Sequence, residues 1–194
     1  SDPQHYGIGL KELWEVAPEK HEQGVVMHGL GWPLTETGST GGWWLYFDEN
    51  NQVSFGLVAD LSYHNPYMSP FDEMQRLKTH PVIKNVLEGG KRISYGARAL
   101  TKGGLNSLPK FTFPGGVLVG DDAGFLNPAK IKGTHTSMKS GMLAAEAIFK
   151  ALQAGREHDE VVAYTTMYKE SWLYQDNYES RNFSPAIHRM GLFM

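Results

Sequence analysis

The sequence predicts an α+β protein, and three observations predict it. Short β-branched and aromatic runs separated by Gly-rich turns fill the first third of the chain. Two Pro-started segments with helical spacing follow them. Near the end, an apolar run, a glycine-containing turn and a long Ala/Met/Leu segment form a strand–loop–helix unit. The 194 residues suffice for one domain or parts of two, and 41% hydrophobic content with 12% aromatics supports a packed core. A net charge of −3 and the lack of any basic block argue against nucleic acid as a partner. With no cysteine, the chain holds no disulfide, thiol nucleophile or cysteine-ligated cluster.

Taken in order, residues 7–16 (GIGLKELWEV) and 25–28 (VVMH) are expected strands. Residues 43–47 and 53–61 flank the polar stretch DENN and are expected to form a hairpin. Together they predict an antiparallel sheet. Ser69, followed by Pro70 and the acids Asp72 and Glu73, has the chemistry of a helix start. Residues 81–87 form a second short helix ended by Gly89-Gly90, and residues 91–100 return to strand. The run 115–119 (GGVLV) predicts a buried strand, and residues 133–152 a helix whose N-cap hydroxyl comes from Thr134 or Thr136. Residues 160–179 predict one aromatic-rich helix, and the tail 183–194 gives no clear element. No run nears the ~20 apolar residues that span a bilayer, so membrane contact would be peripheral.

The candidate chemistry lies in the late unit. Asp121, just past the apolar run, is suited to accept hydrogen bonds from sugar-like hydroxyls, and Gly120 and Gly124 permit tight turns beside a bulky ligand. Lys132-Gly133-Thr134 opens the long helix, whose first N–H groups favour negative charge such as that of a reduced flavin. An ordinary strand–turn–helix with a surface aspartate explains the same residues. No G-x-G-x-x-G stands in the chain, since Gly7-Ile8-Gly9 lacks the third glycine. With its start lacking Met, the chain is expected to be a piece of something longer. The eight histidines form no H-x-x-x-H pair, which argues against a metal site.

Six blocks resemble one family. They are YGIGLKELW (6–14), GWPL (31–34), NPYMSPF (65–71), EGGKRISYGARAL (88–100), FPGGVLV (113–119) and NPAKIKGTHTSMKSGMLAAE (127–146). They are similar to electron transfer flavoprotein–ubiquinone oxidoreductases, over nearly the whole chain. The resemblance implies a central fragment of a glutathione-reductase-like flavoprotein. Residues 1–110 would be the ubiquinone-binding domain, with the antiparallel sheet and short helices. Residues 111–194 would be the C-terminal part of the FAD domain, with a membrane-associated aromatic helix. The parent enzyme would take electrons from reduced electron transfer flavoprotein, through FAD and a 4Fe-4S cluster, and reduce ubiquinone. It would sit monotopically on a bacterial or mitochondrial inner membrane. The cluster's cysteine ligands are absent here and the FAD site is incomplete, so this piece alone is expected to be inactive.

By motif, the resemblance assigns the quinone to the backbone of Gly41-Gly42, with Trp43 and Trp44 as apolar wall. It puts Asn106 and the hydroxyl of Thr134 or Thr136 beside the flavin ring, with Gly120, Asp121, Gly124 and Gly133 around the cofactor. His135 is expected to be structural. Two other readings fit the residues: a related flavin-dependent reductase or monooxygenase, and a non-catalytic domain that binds a lipid or a protein partner.

Overall fold

The structure is a computed structural model that describes residues 3–190. Ser1, Asp2 and the last four residues of the tail lie outside the described residues. The chain divides into two compact units, Tyr6–Ala99 and residues 1–5 with 100–194.

The first unit is built on a five-stranded sheet in the order β2-β3-β4-β1-β5. The strands are β1 Tyr6–Glu15, β2 Val26–Leu30, β3 Gly41–Phe47, β4 Gln52–Asp60 and β5 Lys91–Thr101. The pairs β1/β4, β2/β3 and β3/β4 are antiparallel. Both predicted early strands and the predicted hairpin are therefore present. Alternation divides the residues between the faces. Leu45, Phe47, Val53, Phe55, Leu57 and Ala59 are buried on one face. Helices α1 (Pro70–Leu77) and α2 (Pro81–Leu87) close over it, adding Met74, Leu77, Ile83, Val86 and Leu87 to the same core. The Ser69 hydroxyl accepts the Asp72 N–H at 3.2 Å, the cap that the sequence announced. At the end of the sheet, residues 91–99 of β5 are all exposed.

Among the described residues, the second unit holds a two-stranded ribbon, β6 (Thr112–Phe113) with β7 (Gly116–Val117), and four helices. These are α3 (Thr134–Gln153), α4 (Val162–Glu170), α5 (Trp172–Glu179) and α6 (Phe183–Met190). Their core joins Phe111, Phe125, Leu143, Ala147, Tyr164, Tyr168 and Leu173. Three expectations change here. The run 115–119 gives only a two-residue strand, and Val119 is 39% exposed. A strand is buried on both faces only where other elements pack on both, and Gly116 and Val117 of β7 are only half-buried. The expected long aromatic helix is broken at Ser171, which is extended (φ −89°, ψ 160°) and ends α4 before α5 begins. The tail, in which no element was foreseen, forms α6 as far as Met190.

The aromatics of α4 and α5 divide by role. Tyr164 and Tyr168 are buried around Phe111, with ring centroids 5.5 and 5.3 Å away, and burial pushes both phenols up to about 12. Tyr164 donates to the Leu118 carbonyl at 3.3 Å. Trp172 and Tyr178 remain exposed.

Candidate functional site

In the second unit, the turn after β7 brings most of the predicted cofactor residues together. Gly120 and Gly124 have φ of +63° and +89°, which side chains rarely adopt, and they bracket a single 3₁₀ turn. The Gly120 N–H donates to Ser140 Oγ of α3 at 2.8 Å, and the Gly124 N–H to the Asp121 carbonyl at 2.9 Å. Thr101 Oγ1 also donates to the Asp121 carbonyl, at 2.6 Å. A Cβ on Gly133 would stand 3.4 Å from Asp121 Oδ1, so the carboxylate lies beside the first turn of α3. A negative group is favoured there by the helix dipole.

The N-cap of α3 is Gly133, and no side chain caps it. This corrects the expected threonine cap. Thr136 is fully buried and its hydroxyl donates back to the Gly133 carbonyl at 2.8 Å, so its proton is directed into the helix and its oxygen remains an acceptor. Thr134 is exposed. Asn106 stands in a different contact: its Nδ2 donates to the Arg181 carbonyl at 3.1 Å. A crevice of about 10 Å³ lies among Gly103, Gly104, Ser107, Thr101 and Gly124, room for about one water. The first turn of α3 without a hydroxyl in front of it, and the two left-handed glycines beside it, fit one wall of a flavin site. In such a site Asp121 would accept ribityl hydroxyls, and the N–H groups of α3 would face the negative side of the ring.

A polar cluster that the sequence reading missed sets the entry to α3. Asn127 is buried, and its Oδ1 accepts the N–H groups of Ala129 and Lys130 at 3.1 Å each. Its Nδ2 donates to Asp176 Oδ2 at 2.7 Å. Asp176 of α5 also pairs with Lys130 and stands 3.7 Å from His135 Nε2, while the His135 ring stacks on Trp172. Burial opposes the charge of Asp176, but the Lys130 and Asn127 bonds outweigh it and hold the carboxyl below its usual range. Asn127-Pro128 was a local turn signal. Nothing local pointed to Asp176, 49 residues further on.

In the first unit, the glycine pair of β3 has a packing cause. A Cβ on Gly41 would collide with the Val58 carbonyl and Leu34 Cδ1. One on Gly42 would stand 2.7 Å from the Gly29 carbonyl and 2.8 Å from Leu30 Cδ2. Trp43 and Trp44 point to opposite faces, as alternation requires, so they cannot form one wall. Trp43 lies over Gly29 toward the helix-covered core, and Trp44 lies over Gly56 on the other face. Only Trp44 shares a face with Gly42. Trp44 Nε1 donates to Ser54 Oγ at 3.2 Å.

Among the described residues no group of three or more His, Cys, Asp or Glu is placed to hold a metal ion, and no helix is long and apolar enough to cross a membrane.

The antiparallel sheet with helices on one face and the strand–turn–helix unit recur in larger proteins of known structure. A geranylgeranyl bacteriochlorophyll reductase-like protein from Thermoplasma acidophilum aligns with a TM-score of 0.63 at 21% identity, over 86% of this chain and 39% of that one. A flavin-dependent brominase aligns at 0.65 and 17% identity, over 97% and 45%. The family described as ETF-QO, ubiquinone-binding, matches residues 6–100. Electron transfer flavoprotein-ubiquinone oxidoreductase of Pseudomonas aeruginosa is 62% identical over 98% of this chain and 35% of its own length. The human mitochondrial protein of that name is 50% identical over 96% of this chain and 31% of its own. The chain belongs to the electron transfer flavoprotein–ubiquinone oxidoreductase family. It spans about a third of the length of the curated relatives it matches.

Proposed function

We propose that this chain is the quinone-side portion of an oxidoreductase that passes electrons from reduced electron transfer flavoprotein to ubiquinone. The observation that carries the reading is a coincidence of boundaries. The ubiquinone-binding match covers residues 6–100, and the compact unit built on the five-stranded sheet is Tyr6–Ala99. In this reading the first unit seats the quinone near Gly41 and Gly42. The second unit supplies one wall of the FAD site through Gly120, Asp121, Gly124, Gly133, Thr134 and Thr136, with Asn106 nearby. FAD, when bound, supplies the redox chemistry. The 4Fe-4S cluster takes its cysteines from outside this chain, which has none.

The enzyme works on a membrane surface, where its quinone is dissolved. Trp172 and Tyr178 of α5 stand exposed, as does Tyr67 before α1, and aromatic rings with polar tips suit an interface. The relatives include bacterial and mitochondrial proteins, which fits an inner membrane of either kind.

The test is a chimaera in which this chain replaces the segment it matches in the Pseudomonas aeruginosa relative. It is expected to show a flavin absorbance band, to reduce ubiquinone with reduced electron transfer flavoprotein as donor, and to float with quinone-containing liposomes. A chimaera that carries flavin and reduces ferricyanide, but leaves ubiquinone oxidised, sinks the reading.

A further inference from the structure

The face of the sheet turned away from α1 and α2 carries a pair of groups that no role above uses. Cross-strand partners share a face, so the registers lay this one out as a grid. The rows run Val26–Tyr46–Ser54, His28–Trp44–Gly56 and Leu30–Gly42–Val58 across β2, β3 and β4. Val26 and Leu30 are exposed apolar residues, 59% and 62%. Between them, His28 Nε2 lies 2.7 Å from the Tyr46 hydroxyl, with the rings edge to face at 5.3 Å. His28 is exposed to solvent. It is the one imidazole in this grid, and the other side chains of the three rows carry no charge at neutral pH. On the same face, Lys11 of β1 stands opposite Gly56. The row of His28 is adjacent to the row of Gly42, about 6.8 Å along the strand.

We propose that His28, backed by Tyr46, is the proton donor to the quinone reduced over the Leu30–Gly42 row. The proposal rests on the quinone reading above. Turning a quinone into a quinol takes two electrons and two protons. The electrons come from a reduced flavin; the protons must reach the carbonyl oxygens. With the Tyr46 hydroxyl donating to Nε2, the His28 proton sits on Nδ1. As a quinone oxygen gains negative charge, the Nδ1–H bond breaks and an O–H bond forms. The Tyr46 proton passes to Nε2, and water restores the phenol. The second proton comes from water directly. Imidazole suits this step because it gains and loses protons near neutral pH. The apolar flanks of Val26, Leu30 and Trp44 seat a lipophilic ring without a competing charge.

The experiment places His28→Gln and Tyr46→Phe in the chimaera described above and compares two acceptors. Ubiquinone needs protons and ferricyanide does not. Glutamine keeps the size and a hydrogen-bond donor but cannot relay a proton. His28→Gln is expected to lower kcat for a short-chain ubiquinone about 10²-fold, with KM and quinone quenching of tryptophan fluorescence within about twofold. The ferricyanide rate falls far less, and the pH dependence of quinone reduction flattens. Tyr46→Phe is expected to show the same split at smaller size. Equal loss with both acceptors, or an unchanged quinone rate and pH profile, overturns the proposal. If the unsubstituted chimaera reduces ferricyanide but not ubiquinone, the underlying reading fails first and the proposal falls with it.

Discussion

Glu12 shows how one residue can oppose the pattern around it. It stands on the core face of β1, opposite Phe55, and is 3% exposed. Burial works against its charge, but bonds from Trp14 (2.8 Å), Arg92 (3.0 Å) and Lys78 (3.1 Å to each oxygen) outweigh that and hold its carboxyl below the usual range. A lowered folded-state value means the stabilisation is full above the unfolded pKa, about 4.3, and is lost as pH falls through the folded one. Urea unfolding should therefore show stability dropping below about pH 4, with a smaller drop in Glu12→Ala. At neutral pH that variant should be less stable by about 3 kcal/mol, the low end for a broken buried pair, because Arg92 is partly exposed and can return to water. No local signal announced this acid as buried: its neighbours Lys11 and Glu15 are exposed. Gly41 and Gly42 teach the converse. Their identity was legible, but their cause, the approach of Val58, Gly29 and Leu30, required the register.

Elements were legible where start and stop chemistry agreed with periodicity. For α1, hydroxyl, proline and acids all pointed to one boundary, and Ser69→Ala should lower stability by about 1 kcal/mol, read as a shifted urea midpoint with an unchanged slope. The same reasoning failed at α3, where two threonines offered themselves and a glycine took the cap. There Thr136 found a better acceptor inside the first turn, the Gly133 carbonyl. The break between α4 and α5 was hidden because Ser171 is neither glycine nor proline. Its hydroxyl donates to the Tyr168 carbonyl at 2.7 Å, three residues back, and the Ser171 N–H reaches the same carbonyl at 3.1 Å. Tertiary packing of Tyr168 and Leu173 then decides where each helix lies.

For the whole molecule, the α+β class followed from alternation, turn chemistry and the late helix. The family followed from long matching blocks and not from any single site. Each unit has its own core, one centred on the sheet and one on α3 with the buried tyrosines. The cofactor reading rested on Gly120, Gly124 and Gly133 in the sequence; Gly120 lies beside Ser137 in the first turn of α3 and Gly133 is its N-cap, while Gly124 packs against Leu108. The partners that complete such a site could not be read from a chain covering a third of its relatives.

Strand β5 carries one more consequence. It forms the end of its sheet, and side chains 91–99 are all open to water, Ile93 and Tyr95 among them. Peptide groups along such a margin can accept a strand from another molecule. The cations Lys91 and Arg98 set neighbouring copies against one another, and that repulsion reaches only about 8 Å at physiological ionic strength. Dilute, low-salt solutions of the chain should scatter light as monomers; concentrated ones in high salt should gather into strand-linked clusters, and Ile93→Lys should dissolve them.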